Sequence, residues 1–186
     1  MTMDGKVEIS RPWWSARAAR RRAEAERDVE SWAPRIRGFL RRLAGPSAPA
    51  EDLAQEAIAR ALEALPHRRG GSRLETWVFG IAVNVCREYR RREGRDEPVD
   101  DSMLLSIPDS RSDPARLVTA NERRAAVERA LATLSPAHRD VLLLRDGAGM
   151  GYREIAQALG IPVGTVRSRI HNATALVLRA VEAELR

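Results

Sequence analysis

Near the C-terminus the stretch GIPVGTVRSRIHNATALV (160–177) sets Arg167, Ser168, Arg169, His171 and Asn172 among Val166, Ile170 and Ala173. These residue types suit nucleic-acid recognition. A guanidinium fork matches guanine O6 and N7, and a small hydroxyl permits close approach. At about 100° per residue, Val166, Ile170, Ala173, Val177 and Val181 share one face and are expected to be buried. Gly164, Arg167, Ser168, His171 and Ala175 point the other way, with Asn172 on the flank. Arg167 suits a guanine edge or a phosphate, and His171 a base or a phosphate. Arg169, towards the side, suits a phosphate or an intramolecular partner. Thr165, at the helix start, caps the helix or meets a phosphate.

Two further sets stand out. In AEDLAQEAIARALEAL (50–65), Ala54, Ala57, Ile58, Ala61, Leu62 and Leu65 fall on one side, and Asp52, Gln55, Glu56 and Glu63 almost opposite. By itself an acidic stripe is a solvated face with carboxylates favouring the helix N-terminus; in a basic domain it also fits a docking surface. The third set follows PHRRGGSR (66–73): LETWVFGIAVNVCREYRRR (74–92) is apolar most of the way round and ends in arginines that can line a phosphate backbone. Asn84, beside Trp77, fits a satisfied buried amide or a base-reading group.

Covalent chemistry is not indicated. His67, His138 and His171 are scattered, no Cys/His cluster has metal-site spacing, and the lone Cys86 lies in an apolar helical stretch as a buried thiol. The chain is expected to be no enzyme and to need neither a metal nor a cofactor nor a small-molecule substrate.

The elements that must carry these sets are helical. The 186-residue chain is 44% hydrophobic but only 4% aromatic, so its cores are built from Ala, Leu, Val and Ile. The formal charge of +6, carried almost wholly by arginine, favours a polyanionic partner. No apolar run approaches the roughly 18 residues of a membrane span, and no signal-peptide h-region is present, so a cytoplasmic protein without membrane insertion is expected.

Charge divides the chain into a basic N-terminal half, an acidic Pro-bearing middle (EGRDEPVDDSMLLSIPDSRSDP) and a basic C-terminal part. This predicts an all-α protein of two small helical domains joined by a flexible acidic linker. Residues 1–27, with RPWWSARAARRR, form a poorly ordered basic extension, although Trp13 and Trp14 could also stack on nucleic acid or touch a membrane. Residues 28–95 hold three helices, over about 28–43, 50–65 and 74–92. The linker covers 96–115. Residues 116–186 hold a helix opened by Ser112-Asp113-Pro114 and ending at Leu134, a second opened by Ser135-Pro136, and a helix-turn-helix pair around Gly160.

AEDLAQEAIARALEAL, LETWVFGIAVNVCREYRRR and LSPAHRDVLLLRDGAGMGYREIAQALGIPVGTVRSRIH, in that order, resemble the extracytoplasmic-function (group 4, sigma-70 family) sigma factors of bacterial RNA polymerase, over roughly 28–95 and 116–182. The resemblance implies sigma region 2 and sigma region 4 domains, with core polymerase and promoter DNA as partners. Asp52, Leu53, Gln55 and Glu56 match the family's docking pattern for the polymerase β′ coiled coil; the β flap is the other expected polymerase contact. Trp77 and Asn84 match the helix that holds the melted minus-10 strand, with Arg68, Arg73, Arg87 and Arg91 as its basic surroundings. Thr165, Arg167, Ser168, Arg169, His171 and Asn172 correspond to the minus-35 readers. The acidic linker is expected to thread towards the polymerase active-site cleft, and an anti-sigma factor is a plausible further partner. Two departures stand out. Arg68 and Leu74 replace family aromatics, and Asn172-Ala173-Thr174 follows His171 where the family carries basic residues. A stand-alone helix-turn-helix repressor would leave the DLAQE face without a role.

Overall fold

The computed structural model describes residues 13–68, 71–94 and 119–185, with side chains from Arg17 onward. The expected linker over 96–115 falls almost wholly outside them, as do Ser112-Asp113-Pro114 and the side chains of Trp13 and Trp14.

Among the described residues all regular structure is helical. Helix α1 (Trp13–Ser31) begins well inside the stretch expected to be poorly ordered. The single helix expected over 28–43 is two: α1 ends at Ser31, and α2 (Ala33–Ala44) starts after Trp32 with a proline in its first turn. Pro34 lacks an N–H and so cannot continue the ladder of α1. Gly45, at φ 93, ends α2. Helix α3 (Ala50–Ala64) continues into one 3₁₀ turn, Leu65–His67, and α4 (Leu74–Arg92) has the expected bounds.

In the second half, α5 (Ala120–Thr133) opens on a capping box: Thr119 Oγ1 accepts from the Glu122 N–H, and the Glu122 carboxylate accepts from the Thr119 N–H. Helix α6 (Pro136–Leu142) is capped by Ser135 and widens into one π turn, Leu143–Gly147. Then follow α7 (Tyr152–Leu159) and α8 (Val163–Leu185), joined through Gly160, whose φ of 65° needs a residue without a Cβ.

Helices α2, α3 and α4 pack on one another with α1 against them, and α5, α6 and α7 surround α8. Val29, Ile36, Leu40, Leu43, Val78 and Val83 are fully buried in the first group; Val141, Leu144, Ile155 and Val166 are fully buried in the second. At about 1.5–3 kcal/mol per fully buried large aliphatic side chain, these residues dominate the stabilisation of each bundle. The rings of Phe39 (α2) and Phe79 (α4) meet edge to face at 5.0 Å, and Phe39 also packs against Gly147 of the second group. The two expected domains thus share one continuous hydrophobic core.

Candidate nucleic-acid interface

The helix-turn-helix is built as its sequence requires. The Ile161 N–H donates to Ala156 O at 3.1 Å across the Gly160 turn, and the Val166 N–H to Pro162 O at 3.1 Å. Glu154 steadies the start of α7 by accepting from the Gly151 N–H at 2.8 Å. Val166, Ile170 and Ala173 point inward, leaving Arg167 and His171 exposed at the N-terminal end of α8. Thr165, Ser168 and Arg169 are half-buried beside them, and Ser168 Oγ donates to Thr165 O at 3.0 Å. Its hydroxyl can therefore accept a bond from a base but has its own proton engaged.

Asn172 is a correction. At 4% exposure it faces the protein interior, and Ala175, expected outside, is 1% exposed. The single-face reading fails because α8 packs against α5, α6 and α7 together, so its flanks are covered as well as its inner face.

On α4, Asn84 is exposed and Trp77 half-buried; both line a cleft of about 220 Å³ with Ser72, Thr76, Glu154 and Gln157. This decides between the two readings of Asn84: it is not a core amide. Arg68 comes to the same place. Its guanidinium lies over the Trp77 ring, 5.7 Å from the centroid, and donates to Ser72 O. A planar cation thus covers one face of the indole. Arg73 reaches towards Gly149 O at 3.4 Å. Arg91 is exposed and available to a phosphate. Arg87 is not: it donates to Leu159 O, at the end of α7, at 2.9 Å.

The acidic stripe is partly as expected. Asp52 and Gln55 are exposed on α3. Glu56 accepts from Arg60 at 2.6 Å, and Arg60 also holds Glu88 of α4 at 2.8 Å. The hydrogen bond from Arg60 is the main reason Glu88 lies below the usual carboxylate range. The same bond raises Arg60 further. Leu53 is a second correction. At 5% exposure it belongs to the core and supports the stripe from beneath.

Sequence reasoning missed Arg90. Expected among the phosphate-facing arginines, it is 3% exposed and forms a bidentate pair with Asp140 of α6, at 2.9 and 2.7 Å. Nothing in the run Arg90-Arg91-Arg92 marks one member as buried. Asp140 did carry a signal, since it stands one turn before Leu144, on the apolar side of its helix.

Residues 28–96 match the family described as Sigma-70 region 2, and residues 124–177 match Sigma-70, region 4. The ECF RNA polymerase sigma-E factor of Escherichia coli (strain K12) is 34% identical over 149 residues, spanning 76% of this chain and 78% of that one. The RNA polymerase sigma-H factor of Pseudomonas aeruginosa is 32% identical over 160 residues, spanning 82% and 83%. The sigma factor RpoE from Bartonella quintana, solved with the anti-sigma factor NepR, superposes with a TM-score of 0.64 at 26% identity, covering 85% of this chain and 96% of that one. CnrH, solved with the cytosolic domain of CnrY, shares the fold at a TM-score of 0.59 and 23% identity, covering 88% and 96%.

Proposed function

The chain belongs to the extracytoplasmic-function sigma factors, alternative sigma factors that bind core RNA polymerase and direct promoter recognition in transcription initiation, and within that role we propose how its surfaces divide the work. Asp52, Gln55 and Glu56 dock on the β′ coiled coil, carried by Leu53 underneath. Trp77 and Asn84, with Arg68, Arg73 and Arg91 around them, take the melted minus-10 strand. Arg167, Ser168 and His171 read the minus-35 element, with Thr165 and Arg169 towards phosphates. Residues 28–95 and 116–186 act as regions 2 and 4, and 96–115 as the linker between them. The chain is not an enzyme; phosphodiester chemistry belongs to the polymerase.

The observation that carries this division is the exposure of three chemically distinct faces on three helices: carboxylates on α3, an indole and amide on α4, and Arg167 with His171 on α8. Carboxylates suit a basic protein partner, a half-open indole suits an unpaired base, and a guanidinium at the start of a recognition helix suits a major-groove edge. We place the chain in group 4 of the family and in the cytoplasm with its polymerase; among the described residues no helix is long and apolar enough to cross a membrane. An anti-sigma factor is proposed as a further partner, by analogy with the Bartonella quintana relative.

Run-off transcription with purified core polymerase on promoter fragments tests the reading. Initiation should depend on this chain and on both promoter elements. DNA binding with no polymerase dependence would instead favour a stand-alone helix-turn-helix regulator.

A further inference from the structure

We propose that the N-terminal part of α1 is a free basic arm that grips the phosphate backbone of duplex DNA beside the strand held at Trp77 and Asn84. This rests on the reading of α4 as the minus-10 helix.

The arm has left the bundle. Val29, near the C-terminal end of α1, is fully buried. Ala18 falls within about 20° of Val29 around the helix at 100° per residue, yet it is exposed. The side of α1 that enters the core at Val29 is therefore open at Ala18. Arg17, Ala18, Ala19, Arg20, Arg21 and Arg22 are all exposed, so over more than one turn no face is covered. From Trp13 to Arg22 the helix is about 15 Å long at ~1.5 Å per residue. The region 2 match begins only at residue 28, after the arm.

The arm carries charge of one sign. Residues 13–23 hold four arginines and no carboxylate. Elsewhere arginines meet acids, as in Arg35–Glu75, Arg37–Glu51, Arg42–Glu128 and Arg60–Glu88. In the arm only Arg22 does so, holding Glu26 at 2.7 Å; Arg17, Arg20 and Arg21 make no ion pair among the described residues. Arg17 stands against Arg20 and Arg21 at i,i+3 and i,i+4, where like charges destabilise a helix. No packing offsets that repulsion, and a polyanion would relieve it.

Placement selects DNA as the polyanion. Helix α1 packs against α2, α3, α4 and the 3₁₀ turn Leu65–His67, and it ends at Ser31, just ahead of α2. The first turn of α2 is tied to that of α4 by Arg35–Glu75 at 2.6 Å. The root of the arm therefore sits at the end of the first group that carries Arg68 and Trp77. Its length equals about four base pairs of duplex at ~3.4 Å each, so DNA adjoining a strand held at Trp77 comes within reach. Arg17, Arg20 and Arg21 share an arc of about 100° and about 6 Å of rise, which suits two or three successive phosphates of one strand. A membrane surface fits less well. It needs a broad apolar face, and between 17 and 23 the only apolar residues are alanines.

The test uses holoenzyme assembled with the full chain carrying Arg17→Gln, Arg20→Gln and Arg21→Gln together. Binding is read across a salt series on a promoter duplex and on a single-stranded minus-10 oligonucleotide. Duplex affinity at low salt should fall at least about tenfold, and its log–log salt slope should drop by about 2–3, at ~0.9 per lost contact. Oligonucleotide binding and affinity for core polymerase should not move. Lysine at the same three positions should restore the slope, since a point charge satisfies a phosphate. An unchanged duplex slope would overturn the arm, and so would a lysine variant that fails to restore it. Equal loss on the oligonucleotide would overturn the assignment to duplex. Weakened core polymerase binding would give the arm to a protein surface instead. Capture of the unaltered chain by phosphatidylglycerol vesicles, lost in the glutamine variant while the duplex slope stays the same, would give it to a membrane. A wrong minus-10 assignment shows separately, as oligonucleotide binding indifferent to Trp77→Ala and Asn84→Ala.

Discussion

The guanidinium of Arg68 lies over the indole of Trp77, 5.7 Å from the ring centroid, and that indole lines a cleft together with Asn84. A cation therefore occupies one face of the indole proposed to take an unpaired base. The indole is thus not bare; its stacking partner is a charged one. Trp77→Ala should cost about 1–3 kcal/mol in binding of a single-stranded minus-10 oligonucleotide by the holoenzyme. Arg68→Ala should instead flatten the salt dependence by about 0.7 in log–log slope, as one phosphate contact is lost. Fluorescence titration across a salt series separates the two, and equal effects at all salt concentrations would remove Arg68 from the strand's path.

On α3, Asp52 is exposed, whereas Glu56 is held by Arg60. Asp52→Arg should therefore abolish co-purification with core polymerase while leaving the helical circular dichroism unchanged. Glu56→Gln should weaken it less, because its charge is already partly neutralised. Undiminished polymerase binding by Asp52→Arg would refute the docking face.

Arg167 and Asn172 lie five residues apart on α8 and should behave oppositely. Arg167→Ala should lose roughly 1–3 kcal/mol of minus-35 binding and relax preference at one base pair. Asn172→Ala should leave preference unchanged and lower folding stability by about 1–3 kcal/mol, since it perturbs a buried amide site. Binding measured on a panel of single-base variants, beside thermal melts, distinguishes them.

The Arg60–Glu88 bridge between α3 and α4 makes a pH prediction. Arg60 holds Glu88 below its ordinary value of 4.5, so the folded chain binds that proton less readily than the unfolded chain. The contribution is present in full above the ordinary carboxylate range and is lost as pH falls through the lowered value. Both side chains are about one-third exposed, so the amount is that of a surface pair, about 0–1 kcal/mol. Melting temperatures of the Glu88→Gln variant should fall below those of the unaltered chain near neutrality and converge with them at low pH. A constant gap would exclude the bridge as the cause.

What the sequence determined by itself is whatever depends on short-range periodicity. The run 74–92 gives α4 its bounds, the Gly160 turn gives the helix-turn-helix, and the spacing of Val166 and Ile170 against Arg167 and His171 sorts the inside of the recognition helix from its outside. These follow from a 3.6-residue repeat and from one backbone conformation that glycine adopts freely. The three family stretches, in order, add the assignment to sigma factors. Tertiary structure decided what depends on which helix lies against which. Asn172 and Ala175 are buried because several helices surround α8, which a wheel of one helix does not contain. Leu53 lies buried beneath the acidic stripe and is not part of its exposed face. Arg90, one of three consecutive arginines, is the one that meets Asp140, because only the packing of the first group of helices on the second brings a carboxylate 50 residues away to within 2.9 Å. An ion pair between distant segments leaves no period in the chain, so the Arg90–Asp140 pair had to be seen in the fold.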